Sequence, residues 1–255
     1  HAGALFPHDC VRTSMNGDTK MADLQFDALP NYMEGTGENP LVLCDTSGSM
    51  EAEVSKGSSV QRIHVSMGLA LYCSAKMPAQ SPFYKKFIGF KNESKFVDWS
   101  KLSFSQAIGN KRIFDGAIGS TQIDIALNTI LKMALFFNTP QELMPTMLVI
   151  ISDMQFHPVG GGESSFNVGA NPKSDAHVPE LMKAWEKAGY RSPKIIFWNV
   201  AGYAGSPATV RTPNTGLVSG FSPSILKAVL GGEDFSPRAI MLRALEKYEV
   251  MVPKK

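Results

Sequence analysis

The sequence predicts an α/β fold, with a central, mostly parallel six-stranded sheet, helices on both faces and one antiparallel edge strand. Three observations carry that expectation. Short apolar runs recur without polar alternation, as in strands covered on both sides. Stretches with apolar residues at helical spacing lie between them. The two patterns alternate along the chain, as they do where parallel strands are joined by helical crossovers.

The elements follow in order. Leu41-Val42-Leu43-Cys44-Asp45 reads as the first strand. Residues 60–76 repeat Ile63, Met67, Leu69, Ala70, Tyr72 and Cys73 at helical spacing. Phe87-Ile88-Gly89-Phe90 and Lys95-Phe96-Val97-Asp98-Trp99 are close enough to form a hairpin around Asn92-Glu93, which supplies the antiparallel edge. The stretch 121–137 is helical, with Ile123, Ala126, Leu127, Ile130, Leu131, Ala134 and Leu135 on one broad face. Met147–Ile151 and Lys194–Val200 read as central strands, and Gly216–Phe221 as a short last one. Helices are expected over 175–188, 223–230 and 236–248, the last capped by Ser236 with Pro237 in its first turn.

Residues 1–37 lack this order. A short helix over 23–29, then Pro30 and Gly35-Thr36-Gly37, read as an N-terminal strap or the end of an upstream helical domain. Residues 38–255 are expected to form a single domain. The chain starts at His1 rather than Met, which reads as a piece or processed form of something longer.

Composition narrows the function classes. The chain has 255 residues, 44% of them hydrophobic and 19% charged, so disorder as its main state is excluded. Twenty-five Lys and Arg against 23 Asp and Glu leave a formal charge of +2, too balanced for nucleic-acid binding by bulk charge alone. The three cysteines, Cys10, Cys44 and Cys73, form no CxxC and no even set. That pattern excludes a disulfide framework or zinc ribbon and points to a reducing, cytoplasmic compartment. No apolar window is long enough to span a membrane, and no leader pattern is present.

In an open parallel sheet, ligands bind beyond the carboxyl ends of the strands. After the first strand comes Asp45-Thr46-Ser47-Gly48-Ser49-Met50, one carboxylate and two hydroxyls on a tight loop. After the strand ending at Ile151 come Ser152 and Asp153, and Thr121 opens the helix of residues 121–137. Hard oxygen ligands from three loops suit Mg²⁺ or Mn²⁺. With neutral hydroxyls nearest the ion, it would keep positive charge and an open position for a carboxylate or phosphate.

Asp45-x-Ser47-x-Ser49, Thr121 and Asp153 resemble, in order and separation, the metal-ion-dependent adhesion site (MIDAS) of von Willebrand factor A domains, which have a Rossmann-like fold. The resemblance covers roughly residues 38–250. A narrower one lies in Ser152–Phe156, Ile196–Asn199 and Leu217–Ser222, which look like the C-terminal half of domain-of-unknown-function family 2828 and like the TROVE, or Ro-type, ribonucleoproteins. Met154 stands where other A domains commonly have glycine. The resemblance implies that Ser47 and Ser49 bind the metal directly and Thr121 directly or through water. It implies that Asp45 and Asp153 act mainly through water. The open position would take an acidic group of a protein partner. RNA binding would belong to an upstream helical region.

Other residues invite plainer readings. Asp124 reads as a helix-dipole residue, and His8, His64, His157 and His177 as surface or loop histidines. Trp185 and Trp198 read as core, Trp99 as partly exposed. No phosphate loop, GxGxxG turn, HExxH helix or GxSxG elbow is present, so no enzyme is expected.

Overall fold

The computed structural model describes residues 5–90, 94–114, 123–153, 182–201, 215–220 and 223–231. The expected strands are all there: β1 (Pro40–Asp45), β2 (Lys86–Phe90), β3 (Ser94–Asp98), β4 (Met147–Ser152), β5 (Lys194–Asn199) and β6 (Thr215–Ser219). They form one sheet in the order β3-β2-β1-β4-β5-β6. Neighbouring strands are parallel except at β2–β3, where Lys86 stands opposite Asp98 and Phe87 opposite Val97. The fold is thus α/β, with one antiparallel edge.

β1 and β4 are buried along their whole length. Their runs, PLVLCD and MLVIIS, carry apolar side chains on both faces, and each face meets helices. One core gathers Val42, Cys44, Val149, Ile151, Ile196 and Trp198 with α3 (Arg62–Lys76), α1 (Pro7–Met15) and α2 (Thr19–Asp27). The other gathers Leu41, Leu43, Leu148, Ile150, Ile195 and Phe197 with α6 (Ile123–Phe136) and Trp185. The pleat divides them, since alternate residues of a strand face opposite sides.

The N-terminal residues hold more helix than the sequence pattern suggested. α1 opens with Pro7 in its first turn, and the Asp9 carboxylate accepts the Phe6 N–H at 2.9 Å. The helix expected over 23–29 starts four residues earlier and ends two earlier, capped by Asp18, which accepts the Met21 N–H at 3.1 Å. Asp23 then binds the N–H and hydroxyl of Ser105, at 2.7 and 3.0 Å, tying α2 to α4 (Phe104–Gly109). A short α5 (Lys111–Phe114) follows, residues 182–187 are helical (α7), and α8 spans Pro223–Leu230. The helix expected over 236–248, the first part of that over 175–188 and the turn at Asn92-Glu93 lie outside the described residues.

Three aromatic expectations and two histidines can be compared; His64 is half-buried in α3, where its Nδ1 accepts the Gln61 N–H at 3.3 Å, rather than lying on the surface or in a loop. Trp185 and Trp198 are buried, as expected. Trp99 is also buried: its indole N–H donates to Ser74 Oγ at 2.9 Å, and Lys85 sits over its ring. The alternating pattern of its strand gave no sign of that partner. His8 is buried in α1 beside Phe6 rather than on the surface, because α1 packs flat against α3. The packing is close enough that a Cβ at Gly68 of α3 would lie 2.8 Å from the His8 nitrogen and the Pro7 carbonyl carbon.

Candidate metal centre

The strand order reverses between β1 and β4, and these two strands are hydrogen-bonded neighbours, with Cys44 opposite Ile151. Their carboxyl ends therefore open side by side at the switch point where α/β sheets bind ligands. Asp45 closes β1, while Ser152 closes β4 and Asp153 follows it.

The Asp45 carboxylate is spent on holding the loops. One oxygen accepts the Ser47 N–H at 2.9 Å, which curls the chain back on itself. The other accepts the Ser152 hydroxyl at 2.6 Å, across to β4. Burial raises the Asp45 carboxyl above its ordinary range; the Ser152 and Ser47 hydrogen bonds oppose that, and the Asp153 charge adds to it. Cys44, one residue earlier, is no soft ligand: burial pushes its thiol up to about 12.

Beyond Asp45, a single 3-10 turn over Gly48–Glu51 follows, and Met50 anchors it in the core. This turn brings the Ser47 and Ser49 hydroxyl oxygens to 3.1 Å from each other. Two adjacent oxygens of an Mg²⁺ octahedron with bonds of about 2.0–2.1 Å lie about 2.9 Å apart. The spacing is that of a hydroxyl–hydroxyl hydrogen bond and lies close to the separation of two adjacent ligands of a small hard cation. Among the described residues no three His, Cys, Asp or Glu side chains cluster for a metal.

One participant escaped the sequence reading. Arg62, the first residue of α3, reaches into this corner from a distant part of the chain. One of its terminal nitrogens donates to Asp153 at 3.1 Å and to the Ser49 carbonyl at 3.2 Å. The ion pair is almost fully enclosed, the two side chains being 7% and 1% exposed. A signal was present, since Arg62 lies in helical phase with Val65, Ser66 and Leu69, which are all buried. A cation on an apolar stripe needs a buried partner.

The structure therefore brings Asp45, Ser47, Ser49 and Asp153 to one edge. Thr121 lies outside the described residues, as do His157, His177 and Gly160–Gly162. Asp124 is in the first turn of α6, its side chain outside the description.

Comparison with known proteins adds three likenesses. A protein of Acanthamoeba polyphaga mimivirus, described as uncharacterized, is 26% identical over 254 residues, 95% of this chain and 40% of that one. The crystal structure of the Deinococcus radiodurans Ro (RSR) protein superposes with a TM-score of 0.54 at 18% identity, over 84% of this chain and 37% of that one. The chain thus spans about two-fifths of each of these proteins. An aerotolerance-related membrane protein of Bacteroides fragilis matches more weakly, with a TM-score of 0.36 at 18% identity, over 83% of this chain and 99% of that one, and nothing rests on it. At such identities the Ro likeness is one of fold, and it agrees with the von Willebrand A-like architecture. Where the motifs by themselves resemble family 2828, the profile that matches is another, covering residues 39–252. The chain belongs to the family described as domain of unknown function DUF7788.

Proposed function

We propose that this chain is a non-enzymatic binding module whose divalent cation, Mg²⁺ or Mn²⁺, receives an acidic group of a protein partner. Ser47, Ser49 and Thr121 would hold the ion, with Asp45 and Asp153 acting mainly through water. The observation that carries the reading is the Ser47–Ser49 hydroxyl pair, 3.1 Å apart at the switch point. A bound cation would supply concentrated positive charge with an open position. The chain's own work is to keep that edge in shape. Asp45 fixes the turn to β4, and Arg62 fixes Asp153 to the same turn.

The test is Mn²⁺ titration followed by electron paramagnetic resonance, comparing wild type with the Ser47→Ala/Ser49→Ala double variant. We expect affinity to fall at least about tenfold in the variant. Equal binding by both proteins would overturn the site. The partner's chemistry is tested on an array of acidic peptides and their amidated counterparts. Capture of the acidic set only with Mn²⁺ or Mg²⁺ present supports the reading, and metal-independent capture removes it.

A second reading is favoured by the Ro likeness. In it the chain is a component of a Ro-like ribonucleoprotein, and residues 1–37 are the end of an upstream helical domain that carries most of the RNA contact. Filter binding of structured RNA across a salt series separates the two readings, since phosphate contacts give a steep salt dependence. A cytoplasmic location is proposed with either. Its support is that Cys10, Cys44 and Cys73 are free and buried, and that among the described residues no helix is long and apolar enough to cross a membrane.

A further inference from the structure

We propose that Arg62 is a resident cation of the candidate metal centre: it offsets the two buried carboxylates without an ion and thereby weakens divalent binding. The inference rests on the metal-site reading above, since it concerns what a bound ion would meet.

The corner holds two carboxylates, Asp45 and Asp153, each 4% exposed or less, and Ser152, the residue before Asp153, donates its hydroxyl to Asp45 at 2.6 Å. Two such charges repel strongly in a low-dielectric setting and need a counter-charge. Arg62 supplies one, itself 6% exposed. One terminal nitrogen reaches Asp153 and the Ser49 carbonyl together, so charge and loop position are set by one group. The three side chains sum to a charge of −1. Without Arg62 they would sum to −2, and a divalent ion would be drawn in more strongly while the ion-free fold would suffer.

Charge and geometry make opposite predictions for Arg62→Met. If Arg62 acts by charge, the variant binds Mn²⁺ more tightly, by about tenfold or more. Its melting temperature falls without metal and is largely restored by Mn²⁺, whereas wild type gains little. Arg62→Lys keeps the charge on a shorter stem, so its Mn²⁺ affinity stays near that of wild type. If Arg62 merely braces the loop, Arg62→Met binds Mn²⁺ equally or more weakly, metal does not restore its melting temperature, and the inference is overturned. A variant that stays unfolded even with Mn²⁺ also overturns it. The failure of the underlying reading looks different: wild type and Arg62→Met would then both bind no Mn²⁺. Binding by the variant alone would support the inference in its strongest form.

Discussion

Alternate residues of β1 belong to two unlike cores. Val42 and Cys44 share theirs with α3, while Leu41 and Leu43 share theirs with α6. α3 is buried without interruption from Val65 through Ser74. It has the sheet on one side and α1 on the other, so no side of it faces water. α6 buries a single stripe, Ala126, Leu127, Ile130, Leu131 and Ala134, and ends in exposed Leu135 and Phe136, with Phe137 next. A helix with a polar side is an outer layer; a helix without one is a middle layer and must find a second cover. That cover is what the N-terminal helices provide, and the α3 side also brings Arg62 to the candidate site.

The largest difference between the two faces should appear on trimming leucines of equal size. Leu69→Ala empties a buried position in α3 and is expected to cost about 2–5 kcal/mol. Leu135→Ala, on the exposed end of α6, is expected to stay within about 0.5 kcal/mol. Urea denaturation of both variants checks this, and similar losses would dissolve the distinction. Next comes Gly68→Ala. The added methyl would meet α1 backbone at 2.8 Å, so the helices must part. Overpacking of about 1–3 kcal/mol should outweigh the gain in helix propensity of about 1 kcal/mol. Protease sensitivity between α1 and α2 should rise with the loss of stability. A stabilised Gly68→Ala would mean that α1 is only loosely seated.

The smallest expected effect is on pH dependence. Burial lowers the pKa of His8 and of His64 below the ordinary 6.5, with the Arg12 charge adding to both and Asp9 opposing it at His8. The folded protein therefore holds both rings neutral where the unfolded chain would take up protons. Stability from this source is complete above about 6.5 and is lost as pH falls below it. Melting between about pH 8 and about pH 5 should show a decline that His8→Gln/His64→Gln reduces. An unchanged profile in that variant would place the acid sensitivity elsewhere.

The two parts of the candidate site differ in how far they could be read from sequence. Asp45, Ser47 and Ser49 sit within five residues, and their hydrogen bonds are local, so the loop is written in DTSGSM itself. Asp153 was legible from its place after an apolar strand. Its pairing with Arg62 was not, because that contact spans 91 residues and depends on how α3 docks. The N-terminal helices show the same limit. α1 and α2 have nine residues each, too short to hold helical structure on their own. Their cap signals, Pro7 with Asp9 and Asp18, were present, but packing against α3 decides that the helices form.

The sequence by itself determined the strands, the burial of β1 and β4 on both faces and the carboxylate–hydroxyl loop, because periodicity and turn chemistry act over a few residues. Only the tertiary structure decided that α3 is a middle layer roofed by α1, that Trp99 and His8 are buried, and that a buried arginine sits between the two carboxylate loops. Those outcomes depend on which surfaces meet. Desolvating a charge or ordering a short helix costs free energy that only contacts distant in the chain can offset.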